Sequence, residues 1–193
     1  KTPKTRPITY SDDAERVASG FKFPVILKAS SGSQTGVGVV IVESMRSLHP
    51  TVQMLSLLSK NIDLIVQEYI KIIYDVRVIV HDGNVLAAMR RDVISGDARS
   101  NASLGAETSS IELTELETKD SLRAAEMVEG ELVGVDFLPS KNREKDQPYI
   151  LEVNSMPGFG GIENITKDKS VTSEILKHYY NRDNWTLDNS TQT

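Results

Sequence analysis

The chain has 193 residues, 39% of them hydrophobic and 25% charged, an ordinary globular balance that excludes collagenous and wholly disordered classes. No apolar run approaches the ~18 residues of a membrane span and no signal-like stretch stands at the start, so a soluble, cytoplasmic protein is expected, without membrane contact. Cysteine is absent, which excludes disulfides, thiolate metal sites and cysteine nucleophiles. A net charge of −5 provides no global field for nucleic acid, so any anion must be met by a local cluster of Arg and Lys.

Ser11, Asp12 and Asp13 ahead of Ala14, Val17 and Ala18, with Gly20 behind, predict a short N-capped helix. Val25-Ile26-Leu27-Lys28 and Val39-Val40-Ile41-Val42 read as hairpin strands around a mobile tip, residues 30–38, which holds three glycines and three serines. A helix over 50–59, with Pro50 in its first turn, precedes a strand over 64–69. Strands over 74–80 and 85–89 flank Asp82-Gly83, a type I′ turn signal, and predict an antiparallel hairpin. Residues 92–110 read as a long, functional loop. Then follow a helix over 118–129 stopping at Gly130, strands over 132–138 and 149–153, and a helix over 171–179. Residues 182–193 form a polar tail expected to be disordered. The mixed order argues for an α+β fold.

Asp136 interrupts the apolar strand Leu132-Val133-Gly134-Val135-Asp136-Phe137-Leu138. An ionised carboxylate there costs several kcal/mol unless it is paired, protonated or bound to metal. Glu152 and Asn154, two apart on the next strand, leave the same face. Two buried carboxylates and an amide oxygen suit Mg²⁺ or Mn²⁺, hard cations that take oxygen ligands. The alternative is that Asp136 pairs with an Arg and Glu152 caps a loop. If metal binding is right, Asp136→Asn is expected to stop metal-dependent turnover with little loss of stability. Lys28 ends an apolar strand beside the glycine-serine loop, a placement that suits either a phosphate contact or a side chain snorkelling to water. The loop lacks the Gly-Lys-Ser/Thr ending of a P-loop, and Gly36-Val37-Gly38 lacks the third glycine of a dinucleotide fingerprint. Regular alternation puts Arg90 on the face of Arg77 and Arg91 on the other, and a bulge exchanges them. His49, His81 and His178 are scattered and show neither metal spacing nor a triad.

Taken in order, Lys28, the glycine-serine loop, Val66-Gln67-Glu68-Tyr69-Ile70, Asp75-Val76-Arg77, Arg99-Ser100-Asn101, Asp136 and Glu152-Val153-Asn154-Ser155-Met156-Pro157-Gly158 carry a resemblance. With them the chain resembles the ATP-grasp ligases, and closely the RimK-type glutamate ligases, from about residue 4 to residue 179. The resemblance implies an ATP-grasp fold, two α+β lobes with mainly antiparallel sheets that clasp ATP. A first lobe is expected over 1–68 with a lid at 30–38, a second over 69–181 with the metal site, and a further N-terminal domain ahead of Lys1.

The same resemblance assigns Lys28 to phosphate, Glu68 and Tyr69 to adenine, and Asp75 to ribose. It assigns Arg99, Ser100 and Asn101 to the phosphates and the reacting carboxylate, makes Arg91 and Arg99 the catalytic arginines, and gives Asp136, Glu152 and Asn154 to a pair of Mg²⁺ or Mn²⁺ ions. The implied activity is ATP-dependent ligation of a carboxylate to an amine through an acylphosphate. It would add L-glutamate to the C-terminus of a ribosomal protein or a similar acidic acceptor, with a homo-oligomer as one possible state. Leu104-Gly105 is closer to the related N-acetylaspartylglutamate synthetases. A ligase with another substrate pair, such as that of lysine biosynthesis, and a catalytically silent nucleotide-binding fragment are the alternatives.

Overall fold

The computed structural model of the chain describes residues 1–8, 13–30, 39–58, 63–71, 73–93, 107–166 and 170–182. Most of the expected lid at 30–38 (residues 31–38), Arg99, Ser100 and Asn101, which are expected at the phosphates, and the tail from residue 183 onward lie outside the described residues.

Four strands, β1 (Thr5–Ile8), β2 (Val25–Ala29), β3 (Val39–Val42) and β4 (Leu64–Glu68), form an antiparallel sheet in the order β1-β4-β2-β3. Helices α1 (Ala14–Ala18) and α2 (Met45–Leu58) cover one face. Val25, Leu27, Val42, Leu64 and Val66 meet Ala14, Ala18, Leu48, Val52 and Leu55 there in a closed core. Burying each of the larger aliphatic side chains contributes about 1.5–3 kcal/mol. The alternate residues Ile26, Lys28, Ile41 and Ile65 therefore leave the opposite face, which neither helix covers, and are only half-buried.

Five strands form the second antiparallel sheet: β5 (Tyr74–His81), β6 (Asn84–Asp92), β7 (Thr108–Ser110), β8 (Leu132–Leu138) and β9 (Tyr149–Asn154), in the order β7-β6-β5-β8-β9. Helix α3 (Glu115–Met127) lies against the face made by Val76, Val78, Val80, Val133, Val135 and Phe137. Helices α4 (Gly160–Ile165) and α5 (Val171–Arg182) pack on the other face through Ile162, Val171 and Ile175 against Ile79 and Met89.

Several elements depart from expectation for local reasons. Helix α1 starts at Ala14, and Asp13 at its N-cap makes no capping hydrogen bond but pairs with Arg16 at 2.9 Å. Helix α2 starts at Met45, so Pro50 lies inside it rather than in the first turn. The carbonyl of Ser44 accepts the first helical bond, from the Leu48 N–H. Helix α3 starts at Glu115 because Thr114 and Glu117 form a reciprocal capping box. Its left-handed closing residue is Glu129, at φ 52°, rather than Gly130. Glu117, 1% exposed, is also held by Arg143 at 2.7 Å, which ties the charged 140–147 loop to the helix. Strands β1 and β7 and helix α4, which are short, and the end of β6 inside the expected 92–110 loop are additions to the sequence reading. The Asp82-Gly83 turn has positive φ at both positions, 47° and 69°, as the type I′ signal requires.

Candidate active site

The site grows from the register of the second sheet. Arg77 lies opposite Met89 on β6 and Asp136 on β8, and Asp136 lies opposite Glu152 on β9. One row along, Asp75 faces Arg91, and on the other side Gly134 faces Asn154. Residues that oppose one another, or stand two apart, share a face. Asp75, Arg77, Arg91, Asp136, Glu152 and Asn154 are therefore one surface, beside the part of the face that α4 and α5 cover. The β5–β6 register shifts between Ile79 and Val80, which leaves Leu86 as an extra residue on β6. That bulge brings Arg91, not Arg90, to this face. Arg90 turns away, its guanidinium 4.0 Å from the Tyr74 ring centroid and 3.0 Å from Asp92 through Nε.

Four of these groups form a buried ion cluster. Arg77 donates to both oxygens of Asp136, at 2.7 and 2.6 Å. Arg91 donates to both oxygens of Asp75, at 2.6 and 2.8 Å, and reaches Asp136 at 3.1 Å. Asp75, Arg91 and Asp136 are 5%, 3% and 4% exposed. Burial alone raises the pKa of Asp136, but the Arg77 hydrogen bonds and the charges of both guanidiniums outweigh it and hold the carboxyl below its usual value. Burial also works against the charge of Arg91, and the adjacent Asp136 and Asp75 carboxylates more than reverse that effect.

The pairing of Asp136 with arginine, one of the two readings the strand pattern left open, is thus present. The expectation of two buried carboxylates holds for one of them, since Glu152 is exposed. Glu152 accepts from Asn154 Nδ2 at 2.9 Å, which leaves the amide oxygen as the ligand atom of Asn154. A carboxylate has about four acceptor positions, and the two arginines make three contacts with Asp136, so about one remains. With the Glu152 carboxylate and the Asn154 oxygen beside it, the donor set is all oxygen and fits Mg²⁺. Asp75 and Arg91, assigned by resemblance to ribose and to catalysis, here engage each other and face inward.

Opposite in charge to Glu152 is Lys28, on the helix-free face of the first sheet. Burial lowers its pKa, and the Glu152 carboxylate pulls it back up, which places the lysine in the field of the second sheet's site. Among the described residues Lys28 makes no ion pair. Ile26, Ile41 and Ile65 give, among the described residues, an apolar surface beside the Lys28 cation, a combination suited to a flat aromatic base carrying phosphates. Glu68, at the end of β4, is exposed and joined to Lys4, accepting from its backbone N–H at 3.3 Å and donating to its carbonyl at 2.8 Å. Tyr69 follows it, half-buried, on the connection between the sheets. Gly134 shapes the other flank: a Cβ there would stand 2.8 Å from Cβ of Pro157, so its absence lets the 155–157 segment cross close over β8 behind Asn154. Sequence reasoning considered Arg77 for the face it shares with a second arginine and left open that Asp136 pairs with an arginine, but did not name Arg77 as that partner.

A fold of this kind is found in ATP-grasp ligases. The ATP-grasp ligase PsnB bound to a minimal precursor, Mg and ADP superposes with a TM-score of 0.70 at 18% identity, covering 95% of this chain and 54% of that one. D-Alanine–D-alanine ligase from Bacillus anthracis in complex with ATP superposes at 0.62 and 20% identity, covering 93% and 55%. Sequence narrows the class, because residues 1–178 match the RimK-like ATP-grasp domain, and the chain belongs to that family. A probable alpha-L-glutamate ligase of Marinomonas sp. (strain MWYL1) is 41% identical over 157 residues, 80% of this chain and 50% of that protein. One from Coxiella burnetii (strain Dugway 5J108-111) is 37% identical over 156 residues, 80% and 49%. The chain spans about half the length of the curated relatives it matches.

Proposed function

We propose that this chain is the nucleotide- and metal-binding part of an ATP-dependent carboxylate-amine ligase that adds L-glutamate to the C-terminal carboxylate of a protein or peptide, a ribosomal protein being one such acceptor. Membership of the RimK-like family and similarity to probable alpha-L-glutamate ligases support the amine, and PsnB, bound to a precursor peptide, is a neighbour in fold that supports a peptide acceptor. No helix among the described residues is long and apolar enough to cross a membrane, which is compatible with work in the cytoplasm.

In the proposed reaction an acceptor carboxylate oxygen attacks the γ-phosphorus of ATP and ADP leaves, giving an acylphosphate. The amine of glutamate then attacks the acyl carbon, an amide bond forms, and phosphate and a proton depart. The helix-free face with Ile26, Ile41 and Ile65 takes the base, beside the Glu68-Tyr69 connection, and Lys28 meets the phosphates. Asp136, Glu152 and Asn154 would hold Mg²⁺ or Mn²⁺, as a pair of ions, and bound metal supplies charge neutralisation on the phosphates. Arg91, fixed by Asp75, holds Asp136 in position together with Arg77. Arg99, Ser100 and Asn101 are assigned to the phosphates and the reacting carboxylate, and water has to be kept from the acylphosphate, which it would otherwise hydrolyse. The protein has mainly to position and neutralise, as phosphoryl transfer requires.

The observation that carries this reading is the opposition of Asp136 and Glu152 on neighbouring strands, with Asn154 on the same face. ADP release by the full-length protein, measured with Mg²⁺ across a panel of amino acids and acceptor peptides, tests it. Release that needs glutamate and an acceptor, with the peptide gaining glutamyl mass, is expected. Release with another amine alone would replace the substrate assignment, and nucleotide binding with no release under any condition would point to a silent module.

A further inference from the structure

The far end of the β5–β6 hairpin carries a second cluster of ligand-type side chains. His81, the last residue of β5, lies on the face of that strand where Ile79 meets α5, and is buried. His178 follows Val171 and Ile175 at helical spacing on the buried side of α5. The two imidazole rings meet edge to face with centroids 4.5 Å apart. Glu131 stands just before β8, where its carbonyl accepts from the Asp82 N–H at 2.8 Å, which fixes it beside the hairpin turn. One ligand atom from each of His81, Glu131 and His178 lies within 4.8 Å of the other two. Asp82 brings a further oxygen, Oδ2, to 3.9 Å from Nδ1 of His178.

We propose that His81, His178 and Glu131 form a site for a borderline transition-metal ion, Zn²⁺ by preference, with Asp82 or water as fourth ligand. Two imidazoles and a carboxylate are a donor set that Zn²⁺ takes readily and that Mg²⁺, which prefers oxygen throughout, does not. A tetrahedral ion with bonds of roughly 2.0–2.2 Å needs ligand atoms roughly 3.3–3.6 Å apart. The present separations close to that by side-chain rotation in Glu131, which is exposed, and His178, which is half-buried. The site is distinct from the oxygen site: His81 is four residues beyond Arg77 on the same strand, roughly 13 Å away. Its ligands come from a strand end, a connection and the last helix, so an ion there would clasp α5 to the second sheet.

Zinc titration of the tag-free chain in excess Mg²⁺ tests the proposal, followed by thermal melting, with Co²⁺ as a spectroscopic substitute. At zinc about a hundred times its Kd the wild-type Tm should rise by about 5–10 °C, and Co²⁺ should give the intense visible absorption of a four-coordinate ion. His178→Gln and Glu131→Gln, both at accessible side chains, should each abolish the zinc-induced shift and the cobalt band, each measured against the variant's own metal-free Tm. Asp136→Asn, where it folds, should retain both. Absence of a shift in the wild type, or a shift retained in either ligand variant, would overturn the site and leave the two histidines as a packing contact.

Discussion

Asp136 and Glu152 carry the same charge in different environments, and this decides what their replacement does. Removing the charge of Asp136 leaves Arg77 and Arg91 with Asp75 alone, a buried excess of positive charge that costs about 3–5 kcal/mol in comparable pairs. Asp136→Asn is therefore expected to lower stability as well as metal binding, which revises the expectation from the strand pattern that stability would hardly change. Glu152→Gln is the cleaner variant: an exposed side chain whose loss should leave urea stability within about 0.5 kcal/mol while weakening Mn²⁺ binding, measured by electron paramagnetic resonance, at least tenfold. Lys28 has the opposite balance. Its pKa is depressed by burial, so the unfolded chain binds its proton more tightly; the charged lysine works against folding in full below the depressed value, and the cost fades as pH rises from there to the ordinary lysine value. Lys28→Met should accordingly hold or raise the Tm at neutral pH, and a clear fall in Tm would show that the charge is compensated in the free protein. The identity of these residues was legible because a charge in an apolar strand stands out. The partner of Asp136 was not, since strand pairing, and not sequence distance, brings Arg77 to it.

At the scale of elements, the long strands and the Asp82-Gly83 hairpin could be read from period and turn chemistry, whereas the three- and four-residue strands β7 and β1 carry too few residues for a period to show. Which arginine joined the site depended on one bulge at Leu86, invisible to alternation but sufficient to exchange Arg90 for Arg91. The start of α3 could have been found from Thr114 and Glu117, whose spacing is that of a capping box. The crossing of the 155–157 segment over β8 rests on Gly134. Gly134→Ala would put a methyl 2.8 Å from the rigid Pro157 ring, and overpacking of this kind typically costs about 1–3 kcal/mol. Chemical denaturation should show that loss, together with weaker Mn²⁺ binding because Asn154 shifts with the segment. Unchanged binding and stability would mean that the segment yields freely and does not set the position of Asn154.

For the molecule as a whole, the α+β class followed from the order of elements and the antiparallel hairpins from their turns, while the relation of the two sheets followed only from resemblance, because no local pattern records which faces look at each other. We propose that one nucleotide is held by both sheets, its phosphates by Lys28 and its metal by Asp136, Glu152 and Asn154. Titration of a non-hydrolysable ATP analogue into wild type, Lys28→Met and Glu152→Gln, with and without Mg²⁺, tests it most directly. Lys28→Met should lose about tenfold or more in affinity under both conditions, as expected for a charge-assisted contact, whereas Glu152→Gln should lose affinity only when Mg²⁺ is present. Full Mg²⁺ enhancement in Glu152→Gln, or undiminished affinity in Lys28→Met, would contradict the account.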